Sequence, residues 1–90
     1  MIQKTDDKAR NSRLIRKYVK ERDDVVLSMD VDRFRKFTRK WNPELKQPSD
    51  EVMEITLRKM ALSIPSMPWN VQQEAREWLI AHNCEPKGVE

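Results

Sequence analysis

The segment from Ser49 to His82 constrains this chain most: two apolar-periodic stretches of helical length meet at Ser63-Ile64-Pro65-Ser66-Met67-Pro68. Apolar residues recurring every three or four positions select one face of a helix. Two prolines in the joint, Pro65 and Pro68, forbid a continuous helix through it. The pattern therefore predicts an antiparallel helical hairpin, about 50–64 and 67–83. Ser49 or Asp50 caps the first of these helices, and Asp50 and Glu51 fall where carboxylates complement the positive end of the dipole. Val52, Ile55, Thr56, Met60 and Ile64 form its central stripe, widened by Leu57, Ala61 and Leu62. Glu54 and Arg58 are the clearly polar residues left, an acid-first i, i+4 pair. A helix this apolar belongs in the middle of a fold. Ser66 reads as the N-cap of the following helix and Pro68 as a first-turn residue. Val71, Ala75, Trp78, Leu79 and His82 line its inner face. Trp69 and Ile80 fall roughly opposite and flank Arg76.

The N-terminal half carries a different signature. Leu14, Ile15, Tyr18 and Val19 span about 140° of a helical wheel, a normal buried stripe, and Val25, Val26 and Met29 fall in the same arc. One long helix over about 6–28 is expected, in preference to a helix ending at Arg22 followed by a short VVLSM strand with no evident partner. Asp30 is placed to cap a second helix, Val31–Trp41, with Asp32 in its first turn. Val31, Phe34, Phe37, Thr38 and Trp41 share one face of it. Pro43 disfavours helix at Asn42 and so ends it. Residues 43–48 make a proline-bounded connector. The fold class expected is all-α: a small four-helix domain over 1–84, its central hairpin crossed by two basic N-terminal helices, with a loose tail over 85–90.

Ninety residues with 38% hydrophobic and 37% charged content form one small core, with no room for a large internal cofactor cavity. The single glycine, Gly88, argues against a β-rich fold, which needs turn glycines. The single cysteine, Cys84, excludes an internal disulfide and fits a reducing compartment. The longest apolar run is Val25-Val26-Leu27, far below the roughly 20 residues of a membrane span, and the start lacks an apolar secretory segment. A soluble, cytoplasmic protein with no membrane partner is expected. The net charge of +3 hides an asymmetry: residues 1–47 hold 14 Lys/Arg and 8 Asp/Glu, whereas residues 48–90 hold 4 and 7. Such a polarised surface suits an acidic partner on one side.

Signals for catalysis are poor. His82 and Cys84 are the only soft ligands, two residues apart, with nothing to complete a zinc tetrad or an acyl-transfer site. Asp30 and Asp32 are explained by capping rather than by a metal. One glycine cannot build a phosphate loop. No enzymatic activity, no metal and no cofactor are expected. The basic arm speaks more clearly: Arg10, Arg13, Arg16, Lys17 and Lys20 share an arc of the first helix, and Arg33, Lys36, Arg39 and Lys40 the outer face of the second. Nine phosphate contacts would give sequence-independent, salt-steep nucleic-acid binding. The same cations also serve a solvated face. Asn70, Gln72, Gln73 and Arg76 are types that read base edges, but Glu74 and Glu77 would repel phosphates beside them. The outward apolar pair Trp69 and Ile80, extended by Met67 and set beside Arg76, has the composition of a protein interface. The leading expectation is a protein-binding adaptor or inhibitor, of the kind found as a bacterial or phage accessory protein acting on a nucleic-acid-handling complex. The alternatives are a DNA/RNA-binding protein using the nine cations, and a homodimer through Trp69.

Overall fold

A computed structural model describes residues 3–88 of the chain, and their side chains from Asn11 onward. Among the described residues there are four helices and no strand: α1 (Gln3–Ser28), α2 (Val31–Trp41), α3 (Asp50–Ser63) and α4 (Trp69–Ala81). The expected all-α class and helix order hold.

α1 continues through Asp23 and Asp24 into Val25 and Val26, so VVLSM is helical. Its end is a hydroxyl relay. The Ser28 hydroxyl donates to the Val25 carbonyl (2.6 Å) and accepts from the Asp30 N–H (3.3 Å), while the Met29 N–H reaches the Val26 carbonyl (3.2 Å). Met29 takes a left-handed φ of 54°, which reverses the chain. Asp30 then caps α2 as expected, its Oδ1 accepting from the N–H groups of Asp32 (2.9 Å) and Arg33 (3.3 Å).

α2 returns along α1. Tyr18 tilts against Phe37 and meets Trp41 edge-on, both at 5.3 Å between ring centroids. Glu21 accepts from Lys40 Nζ (2.6 Å) and Trp41 Nε1 (2.7 Å), which draws its carboxyl below the ordinary glutamate range. Arg35 turns inward from the basic helix, donating to the Pro48 carbonyl (3.1 Å) and pairing with Asp50. This one side chain ties the connector and the start of α3 to α2.

α3 touches each of the other three helices, as its apolar girth demands. Its buried line is Met53, Leu57, Ala61 and, just past its end, Ile64. The stripe expected on Val52, Ile55 and Thr56 is rotated from this by about one residue, and Val52 stands 47% exposed. Packing on three sides leaves the helix's own periodicity unable to say which line goes deepest. Arg58, expected as a surface partner of Glu54, lies over the Trp78 ring at 4.9 Å.

The corner into α4 differs from expectation. α4 begins at Trp69 with Pro68 at the cap position and no side-chain cap, so Ser66 is not the N-cap. The cause is local: a residue before proline is pushed out of helical geometry, so Met67 cannot be a first helical residue. Met67 instead closes a turn with the Ile64 carbonyl (3.1 Å) and enters the core. Gln72 fastens the hairpin, its Nε2 donating to the carbonyls of Ala61 and Ile64, both at 3.2 Å. The Ala61 carbonyl, left without an intrahelical donor because Pro65 has no N–H, is thereby satisfied, and the Ile64 carbonyl gains a second donor beside Met67. Ala75 and Leu79 are the buried residues of α4. Its C-terminus is a Schellman motif: Asn83 at φ 60°, the Asn83 N–H on the Ile80 carbonyl (3.1 Å) and the Cys84 N–H on the Leu79 carbonyl (2.8 Å). Beyond it, Gly88 approaches Ser63 so closely that a Cβ there would sit 3.2 Å from the Ser63 Cα and N.

The molecule is elongated. Its Cα radius of gyration is 15.4 Å, against about 12 Å for a compact chain of this length. Helix lengths explain it. The 26 residues of α1 span about 39 Å, whereas the 11 of α2 cover only about 16 Å of it. The N-terminal half of α1 therefore overhangs the core.

Candidate binding surfaces

The overhang exposes what the sequence pattern assigns to the core. Tyr18, Val25, Val26 and Met29 pack as expected, but Leu14 is 48% exposed and Ile15 62%. α2 does not extend over them, since its last residue, Trp41, meets α1 at Tyr18. Leu14 lies one turn before Tyr18 on the same side of α1. Beyond Tyr18 the surface dips into an open cleft of about 400 Å³ lined by Tyr18, Phe34, Phe37, Trp41, Leu45 and Met60, among others. A second cleft of about 500 Å³ shares Tyr18 and Met60 and runs past Thr56 to Ile64 and Pro65. Tyr18 and Met60 thus border both clefts, one opening along α2 toward Leu45, 47% exposed at its rim, and the other lying between α1 and α3.

The cations expected on the basic arm are distributed as follows. Arg13, Arg16, Lys17 and Lys20 on α1, and Arg33, Lys36, Arg39 and Lys40 on α2, are exposed. The Arg10 side chain lies outside the described residues. The eight do not make one continuous strip. Arg33, Lys36 and Lys40 form one wall of a groove whose other wall carries Glu21 and Asp24. Arg16 and Lys20 border a shallow depression shared with Ile15, Val19, Asp23 and Asp24. The carboxylates at 21, 23 and 24 stand between the two sets, and Lys40 is already spent on Glu21.

On α4, Trp69 is 72% exposed and Ile80 61%. They lie eleven residues apart, about 16 Å along the axis, with Arg76 between them. Met67 is removed from this surface, since the proline corner buries it to 7% exposure. His82, expected on the inner face, is also displaced. α4 stops at Ala81, and His82 lies exposed on Trp78, rings stacked at 3.8 Å and 15°, with Nδ1 2.8 Å from the Trp78 carbonyl oxygen. The Cys84 thiol donates to the His82 carbonyl (3.5 Å). Among the described residues no group of three or more His, Cys, Asp or Glu could hold a metal ion, and no helix is long and apolar enough to cross a membrane.

Three functional-looking side chains escape sequence reasoning. Arg35 and Glu21 read as ordinary surface charges and Gln72 as a type that reads base edges, yet each bridges two elements. The one available signal is phase. Arg35 falls on the side of α2 nearer Thr38 and Phe34 than the other cations do. Comparison with protein-family models, with curated proteins and with solved structures finds no match.

Proposed function

We propose that this chain is a small non-enzymatic protein-binding module, an adaptor or inhibitor, that engages its partner through the overhanging half of α1. The observation that carries this reading is the exposure of Leu14 and Ile15 on the same helical stripe that buries Val26. Isolated exposed apolar residues are ordinary, but a helix that carries its apolar stripe past its own domain is built to be covered. Trp69 and Arg76 have interface-type chemistry and serve as a secondary contact. The test is affinity purification from the source cell, with and without nuclease, using wild type and Ile15→Asp. A protein partner that survives nuclease and is lost with Ile15→Asp supports the reading; a partner lost on nuclease treatment, or kept by the variant, refutes it.

Direct DNA or RNA binding is the second reading, favoured by eight exposed cations on α1 and α2. It predicts gel shifts that weaken steeply with salt and disappear in Arg13→Glu/Lys17→Glu. No shift at low salt removes it. The carboxylates at 21, 23 and 24 and the absence of a continuous phosphate track place it behind the first.

A further inference from the structure

The chemistry of the occupant follows from the residues around the uncovered stripe. Residues 8–20 contain six cations, Lys8, Arg10, Arg13, Arg16, Lys17 and Lys20, and no carboxylate. Within the described side chains of that run, all four cations are exposed, and Leu14 and Ile15 are exposed beside them. Whatever covers this half of α1 meets an apolar stripe with positive flanks. The shape is that of a bundle lacking one element: a long helix, a short α2 beside it, and apolar clefts that begin at Tyr18, one turn past Leu14, and pass Met60.

We propose that the overhang of α1 receives an acidic amphipathic helix from another protein, laid along Leu14, Ile15 and Tyr18 with its apolar side in the α1/α3 cleft. The proposal rests on the protein-binding reading above and names the partner's chemistry. A helix in a groove supplies apolar anchors every three to four residues, the spacing at which α1 presents Leu14 and Tyr18. Carboxylates on its flanks would face Lys17, which borders the stripe beside Leu14, and Arg16, which borders it beside Val19, while Arg13 and Lys20 on the far side of α1 add only longer-range attraction.

A second copy of this chain fits poorly. Pairing α1 with α1 sets one cationic run against another. Pairing α1 with α4 meets Arg76 between two apolar residues three turns apart. A lipid surface fits less well too, because Tyr18 is held sideways by Phe37 and Trp41 and the remaining apolar face is narrow.

The test is a displayed library of helical peptides with apolar residues at heptad a and d and flanks randomised over Asp, Glu, Lys, Arg and Ser, selected on the full chain. The expected result is enrichment of Asp/Glu-flanked peptides, with binding weakened about tenfold by Ile15→Asp and several-fold by Lys17→Glu, and falling with salt. Both side chains are exposed, and circular dichroism checks that the variants fold. Absence of enrichment, enrichment indifferent to flank charge, or binding indifferent to both variants overturns the proposal. So does Ile15-dependent self-association in sedimentation, or Ile15-dependent co-sedimentation with anionic vesicles. A cellular protein partner that is lost with Ile15→Asp while the library fails would sink the acidic-helix assignment and leave the protein-binding reading standing. Loss of both results sinks both.

Discussion

Val26 and Ile15 belong to one helical stripe, and the structure predicts opposite fates for them on truncation. Val26 is fully buried and Ile15 is 62% exposed. Val26→Ala removes two methyl groups, about 1.6 kcal/mol of transfer free energy, and partial collapse of the space raises the cost to about 2.5 kcal/mol. Alanine's better helix propensity returns about half a kcal/mol. The net loss of about 2 kcal/mol corresponds to a fall in Tm of roughly 10 °C for a chain of this size. Ile15→Ser changes helix propensity little and removes mostly solvated surface, so its cost stays within about 0.5 kcal/mol. Urea titrations followed by helical circular dichroism, at equal protein concentration, measure both; the midpoint should move with the slope unchanged. If Ile15→Ser costs as much as Val26→Ala, the overhang is packed in solution and presents no free docking face. If Val26→Ala costs nothing, the core placement of α1 is wrong.

Three further outcomes follow from individual contacts. Asp30→Ala removes the acceptor for two first-turn N–H groups of α2 and should cost about 1 kcal/mol, while Asp32→Ala, which leaves those bonds in place, should cost distinctly less in the same titration. Glu21 has its carboxyl lowered by hydrogen bonds from Lys40 and Trp41; a lowered folded value means the stabilisation is present above the ordinary glutamate range and is lost as pH falls through the folded value. Stability measured from neutral to acid pH should therefore fall less steeply in Glu21→Gln than in wild type, and parallel curves would show that the contact is not kept in solution. Asn83→Gly should raise stability by a few tenths of a kcal/mol, because glycine takes the left-handed φ of 60° without strain. Asn83→Val should lower it by at least about 1 kcal/mol, and equal stability of the two variants would contradict the C-terminal motif.

Much of the architecture is written locally. The Asp30 cap and the boundaries of α2 follow from a short acceptor, a first-turn acid and Pro43, all within a few residues of the helix they define. The hairpin of α3 and α4 follows from Pro65 and Pro68 in the same way. Even the late start of α4 was available locally, because the residue before Pro68 resists helical geometry. The buried line of α3 was not. With apolar residues on most sides, the choice of Met53 and Leu57 over Val52 depends on which neighbours close around it.

The candidate surfaces divide along the same line. Residue type and spacing establish an amphipathic, strongly basic α1, a helical hairpin, and outward positions for Trp69 and Ile80, because periodicity and charge are properties of the chain alone. They do not establish which part of an amphipathic stripe finds a partner. Leu14 and Val26 look alike in sequence. They differ because α2 is about 16 Å long and α1 about 39 Å, so the returning helix runs out beside Tyr18. Met67 moved from surface to core by the proline corner, and Glu21 became a clamp on Lys40 and Trp41, for the same reason. Burial and pairing are set by what lies across the gap, and that is settled only when the helices are in place.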